Sequence, residues 1–183
     1  VEFDAKWRIS PLVDLEGMLT LGNYEYGSDV TDSNVTNNSG QSIGSATLYL
    51  DGEKVGTTAH KTARLNLTVN PSDKFKFNLS LFHADDIFGT VNTEDFQDPE
   101  DTTMKLPSYE LFDFGSSYTL SIGGKDVYLR LNINNIFDEE YYYMSNNNVF
   151  ASPGEPTYKG MPLNAKVFPG WGRTYNLGLT YRF

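Results

Sequence analysis

Apolar side chains recur at every second residue in stretch after stretch of this chain, and few folds accept that period. In an extended strand successive side chains point to opposite faces, whereas a helix repeats every 3.6 residues. The opening segment sets Val1, Phe3, Ala5, Trp7 and Ile9 on one face and Glu2, Asp4, Lys6 and Arg8 on the other. The pattern returns with Ala63, Leu65, Leu67 and Val69, with Phe75, Phe77, Leu79 and Leu81, and with Phe112, Phe114, Tyr118, Leu120 and Ile122. It closes with Val127, Leu129, Leu131 and Ile133, then Tyr175, Leu177, Leu179, Tyr181 and Phe183. Residues 14–26 alternate less cleanly through Leu15, Gly17, Leu19 and Leu21. No window carries a helical stripe. The expected fold is all-β, with antiparallel up-and-down strands at about 1–9, 14–27, 61–70, 74–88, 108–122, 126–137 and 166–183.

The connections alternate in length. Short ones at Ser10–Val13, Asn70–Asp73 and Gly123–Lys125 hold the Pro, Gly, Asn and Asp that tight hairpins require. Long ones at about 28–60, 89–107 and 138–165 therefore gather at the opposite end. The windows 28–60, 85–105 and 138–166 hold 15 of the 24 acidic residues, with only Lys54, Lys105, Lys159 and Lys166 among the bases. One end is acidic and polar. A further hairpin inside 28–60 is expected from Ala46–Leu50 and Lys54–Thr58 around Asp51-Gly52.

Two architectures satisfy this pattern. A secreted β-sandwich buries its apolar faces against a second sheet and could bind sugars through acidic, aromatic loops. An outer-membrane β-barrel turns those faces to lipid and the polar faces to a lumen, with short turns on the periplasmic side, long loops outside and aromatic girdles at the interfaces. A mean hydropathy of -0.43 is compatible with the barrel, because lumenal residues dilute lipid-facing ones. The loop asymmetry favours the barrel, and Trp7, Phe75, Tyr118, Tyr181 and Phe183 fall where a periplasmic girdle would lie. No segment has the roughly 20 apolar residues of a membrane helix. A net charge of -10 argues against nucleic acid as a partner, and the absence of Cys removes thiolate chemistry.

Other motifs read as structure. Gly40-Gln-Ser42-Ile-Gly44 spells a nucleophile elbow but lies in a Ser/Asn-rich loop without the strand and helix that elbow needs. His60 and His83 lack ligand spacing and fit rim or lumen positions. Of the carboxylate pairs, only 94–101 suggests calcium, and a solvated acidic loop is the simpler account. No catalytic residue, metal ligand or cofactor is expected. The last long loop interleaves Tyr141, Tyr142, Tyr143, Met144, Phe150 and Tyr158 with Asn146, Asn147 and Asn148. Tyr141, Tyr142, Tyr143, Phe150 and Tyr158 are the candidate ligand contacts, although an aromatic belt at the outer rim would use the same residues.

The run from Val127 to Tyr141, with its Asn-Ile-Phe-Asp, and the run from Pro169 to Phe183 resemble the last two strands of TonB-dependent outer-membrane receptors. Residues 1–125 fit that family more loosely. The resemblance implies transport of a scarce solute, such as a siderophore-bound metal, a corrinoid or an oligosaccharide, and not catalysis. It implies a bacterial outer-membrane location and a lumen lined by Lys76, Asn78, Arg130, Asn132 and Asn176. It also implies that Tyr175, Leu177, Gly178, Leu179, Tyr181 and Phe183 form the signal read by the barrel-assembly machinery. Such a receptor has roughly 22 strands, an N-terminal plug and a segment that engages the TonB complex. The chain is then expected to supply the last third of the barrel, with outer-membrane lipid and the N-terminal remainder, plug and upstream strands, as partners. The odd strand count agrees with missing upstream strands. A small complete barrel of structural or adhesion type is the alternative within the membrane.

Overall fold

A computed structural model describes residues 1–146, 148–150 and 154–181. In chain order its strands are β1 (Glu2–Ser10), β2 (Val13–Leu21), β3 (Val30–Thr36), β4 (Ser42–Leu48), β5 (Ala59–Ser72), β6 (Phe75–Phe88) and β7 (Lys105–Leu106). There follow β8 (Tyr109–Ile122), β9 (Lys125–Asn134), β10 (Tyr142–Ser145), β11 (Thr157–Tyr158), β12 (Met161–Pro162), β13 (Val167–Pro169) and β14 (Thr174–Tyr181). Seven of them make one antiparallel meander in the order β1-β2-β5-β6-β8-β9-β14, with β7 added beside β6. These are the seven strands read from the alternation. The sheet is open, since no pairing among the described residues joins β1 to β14.

Register turns the alternation into two surfaces. Trp7, Leu15, Leu67, Leu79, Phe114, Ile133 and Tyr175 form one row of cross-strand neighbours spanning the sheet. Arg8, Asp14, Thr68, Asn78, Gly115, Asn132 and Asn176 form the corresponding row on the other face. The apolar face is bare: Trp7 is 65%, Leu177 79% and Leu179 68% exposed. A β-sandwich requires a second layer over these rows. Among the described residues there is none, and the sandwich reading falls.

The short connections are tight. Gly123 and Gly124 link β8 to β9 with φ of 59° and 74°, the pair of positive values that a type I′ hairpin needs. Between β5 and β6 the turn is Asp73-Lys74, because β5 continues through Pro71 to Ser72 across a register shift, and a bulge tolerates a proline.

Strand ends depart from the alternation where the chain must turn. β2 stops at Leu21, not at 27. A Cβ on the next residue, Gly22, would lie 2.6 Å from the Tyr24 ring, so the chain folds sharply there. β9 stops at Asn134, and Asn135 enters the left-handed region with φ 51°. The expected strand over 166–183 is two pieces, β13 and β14. At the break, Gly170 packs against Tyr141 so closely that a Cβ would be 1.9 Å from the ring. The hairpin in the first long connection is β3 with β4, not a pairing about Asp51-Gly52. That dipeptide forms a separate turn in which the Glu53 amide donates to the Leu50 carbonyl (2.9 Å).

The buried core lies at the long-connection end. Ala84, Ile87, Met104, Leu106 and Met161 form one cluster, and Leu48, Leu50 and Phe96 form another.

Candidate functional site

The three long connections fold onto each other. Thr103 donates through its amide and hydroxyl to Glu53 Oε2 (2.6 and 2.9 Å), tying the second connection to the first. Asn148 ties the third to the second: its Oδ1 accepts from the Met104 amide (2.7 Å) and its Nδ2 donates to the Thr102 carbonyl (3.1 Å). Thr90 donates to Ser145 Oγ through its amide (2.8 Å) and to the Ser145 carbonyl through its hydroxyl (2.5 Å). Gly56 meets Gly89 so closely that a Cβ would fall 1.7 Å from its carbonyl oxygen. The result is a laced cap over one end of the sheet.

Two residues sit at its base: His60, expected at the rim or lumen and found in the interior, and Asn135, to which sequence reasoning assigned no separate role. His60 is buried, its Nε2 2.9 Å from the Val55 carbonyl and its Nδ1 accepting from the Tyr24 amide (3.4 Å), with the Tyr24 and Phe88 rings packed on it. Asn135, inside the Asn-Ile-Phe-Asp run, is also buried. Its amide donates to Asp113 Oδ1 (2.8 Å), its Oδ1 accepts from the Glu139 amide (2.8 Å), and its Nδ2 donates to the Glu139 and Trp171 carbonyls (2.9 and 3.2 Å). Three residues on, Asp138 Oδ1 accepts from the Arg173 amide (2.7 Å). The motif is a latch from β9 to the start of β14.

The five aromatic candidates do not converge on one pocket. Tyr141 stacks on Tyr109 with ring centroids 4.5 Å apart, and burial pushes its phenol above the ordinary value. Phe150 meets Phe96 edge-on at 5.2 Å, inside the loop core. Tyr143 lies beside Phe168 and is 46% exposed. Tyr142 and Tyr158 come together: both hydroxyls donate to Glu140 Oε1 (2.5 and 3.1 Å), and Lys159 Nζ donates to the Glu140 carbonyl (2.9 Å). Those hydrogen bonds hold the Glu140 carboxyl below the usual carboxylate range, and the carboxylate pushes the Tyr142 phenol up to about 12.

The remaining candidates separate. Ser42 opens β4 and donates to Asn34 Oδ1, with no helix after it. The Asp101 carboxylate accepts from the Asp98 amide and the Asp98 carboxylate from the Glu100 amide, and no group of three potential metal-ligating side chains occurs among the described residues. Tyr175, Leu177, Leu179 and Tyr181 line the exposed apolar face of β14, and Gly178 alternates to the polar side. Phe183 and Asn147 lie outside the described residues.

An uncovered apolar face, a polar opposite face, and tight turns at one end with a folded cap at the other describe a membrane barrel wall. The family profile "TonB dependent receptor-like, beta-barrel" matches residues 1–136. The chain belongs to that family. The match takes in 1–125, where motifs fitted only loosely, and leaves 169–183 outside it. Lipid-facing positions need only be apolar, so family likeness there is spread thinly over many residues. TonB-dependent receptors reside in the bacterial outer membrane and are transporters, not enzymes.

The metal-pseudopaline receptor CntO of Pseudomonas aeruginosa, from two strains, is 35% identical over 91 residues, which is 49% of this chain and 12% of that protein. The crystal structure of the siderophore receptor PiuA from Acinetobacter baumannii superposes with a TM-score of 0.64 at 17% identity, over 97% of this chain and 20% of that one. The chain thus spans about an eighth of the curated relative's length, and the second likeness concerns fold alone.

Proposed function

We propose that this chain forms part of the wall and outer vestibule of a receptor that imports a chelated metal, with energy from the TonB system. The observation that carries the reading is the laced cap, built on the long-connection end of a lipid-facing sheet and edged by Tyr143 and Tyr158, each 46% exposed. The 35% identity to a metal-pseudopaline receptor favours a metal chelate over a corrinoid or an oligosaccharide. Within the cap, Tyr142 and Tyr158 with Glu140 offer aromatic surface and hydrogen-bonding groups together. Tyr143 adds a third ring, whereas Tyr141 and Phe150 serve the cap's own packing.

In this reading the seven strands belong to the C-terminal part of a larger barrel, and upstream strands and a plug complete it. The TonB complex engages the plug side of the receptor. Tyr175, Leu177, Gly178, Leu179, Tyr181 and Phe183 address the barrel-assembly machinery; among the described residues the first five lie on β14, which pairs with β9 at one edge of the sheet.

Cells expressing the intact receptor that carries this chain should accumulate chelated transition metal faster than cells lacking it. Replacing Tyr142 and Tyr158 together by Ala should raise the half-saturating concentration about tenfold, as loss of aromatic anchors does elsewhere. Equal accumulation with and without the receptor, across a panel of metal chelates, would defeat the proposal.

A further inference from the structure

Among the described residues the polar face carries hollows that differ in charge. The hollow near β1 contains Asp4 and Glu16 beside Lys6 and Arg64, and the central one contains Glu16 and Asp113 beside Arg64. The third, of about 230 Å³ toward the short-turn end, is lined by Lys76, Asn78, Ser117, Tyr128, Arg130 and Asn132, with no carboxylate. On β1 and β2 the cations are matched across the strands, Lys6 with Glu16 and Arg8 with Asp14. Lys76 and Arg130 form no ion pair among the described residues; Arg130 lies over the Tyr128 ring, 5.7 Å from its centroid.

Register explains why the hollow exists. Ser117 stands opposite both Lys76 and Arg130, which places two cations about one small hydroxyl. Gly115, one pair further along, lies between Asn78 and Asn132, and a Cβ there would fall 2.4 Å from Asn78 Oδ1. Gly178 faces Arg130 from β14. Small residues thus open a floor, and long cationic and amide side chains stand around it. Two cations with hydroxyl and amide donors match the two acceptor oxygens of a carboxylate, which Arg binds in a fork and Lys as a point charge.

We infer that Lys76 and Arg130, with Ser117 and Tyr128 between them, form a carboxylate-binding site on the lumenal face toward the periplasmic end. The site lies at the opposite end of the strands from the cap and does not depend on which solute the cap accepts. Its carboxylate comes either from a diffusible acid or from another part of the receptor.

The test uses the intact receptor in non-ionic detergent at low salt. Citrate serves as the diffusible probe in calorimetric titration, and a zero-length carbodiimide coupling followed by peptide mapping reports any receptor carboxylate resting against the Lys76 amine. For a diffusible acid, citrate binds saturably, Lys76→Gln and Arg130→Gln each weaken it about tenfold, and Lys6→Gln, which removes an already paired cation, leaves it unchanged. For an internal partner, citrate does not bind, Lys76 couples to one defined acidic residue, and Arg130→Gln lowers that yield whereas Lys6→Gln does not. Citrate affinity that falls equally for Lys6→Gln, or neither binding nor a defined coupling, overturns the inference.

Discussion

Asn135 shows how one side chain can hold two strands in relation. It sits at φ 51°, a region Asn enters more readily than most residues, and its amide group serves three backbone partners from a buried position. Asn135→Ala should destabilise the folded receptor by about 3 kcal/mol, from stranded backbone groups together with the left-handed φ. Asn135→Gly should recover about 1 kcal/mol of that, because only the φ cost is relieved. Thermal unfolding in detergent compares the two, and equal losses would remove the contribution of the left-handed φ. The Glu140–Tyr142 contact predicts a pH window. The lowered Glu140 carboxyl contributes stability that is present above its unfolded value and lost as pH falls through the folded one. The raised Tyr142 phenol contributes stability that is full below its ordinary value of 10.0 and lost as pH rises through about 12. Tyrosinate absorbance should therefore show late-titrating phenols, and Glu140→Gln should bring one of them, Tyr142, back toward the ordinary range while leaving Tyr141, raised by burial, in place.

At the scale of elements, strands and connections differ in how far the sequence discloses them. The strands were legible because each lipid-facing residue needs only an apolar side chain, so period two survives across β1, β5, β6, β8, β9 and β14 with little interference. Their ends were less so. β2 stops just before Gly22 and the last segment breaks at Gly170, where the rings of Tyr24, two residues on, and of Tyr141, from the far side of the last long connection, occupy the space a Cβ would need. The β3–β4 hairpin was mislocated because Asp51-Gly52 carries the stronger turn signal, yet that turn is held by the Asp29 carboxylate, which accepts from the Leu50 and Asp51 amides (2.8 and 2.9 Å). The Gly123-Gly124 turn was legible, and its geometry makes a prediction. Replacing both by Ala should cost about 2–4 kcal/mol, since each residue must hold positive φ, while Asn-Gly should be nearly neutral. Refolding yield into lipid vesicles, read by heat-modifiable migration on gels, checks the order.

For the whole molecule, the candidate site was harder to read than the wall. Composition marked the last long connection as aromatic and amide-rich, but which rings pack inward and which stay open depends on contacts with the other two connections. Phe150 is the clearest instance, expected as a ligand contact and found edge-on against Phe96 inside the loop core, while nearby Asn148 laces its connection to Thr102 and Met104. The wall makes the stronger whole-molecule prediction, because its two faces assign opposite outcomes to adjacent residues. Leu79 and Ser80 are neighbours near the middle of β6, Leu79 in the bare apolar row and Ser80 between Asn66 and Asp113 on the polar face. An arginine at a lipid-facing midplane position costs about 2–4 kcal/mol, whereas a lumenal position stays wet. Leu79→Arg should sharply reduce folding of the intact receptor into bilayers. Ser80→Arg should fold like the wild type, with a new cation beside Asp113. The same assay on both variants reads the sidedness of the sheet directly. Equal losses would mean that both faces are dry, and a loss confined to Ser80→Arg would invert the assignment of lipid and lumen on which the transport reading stands.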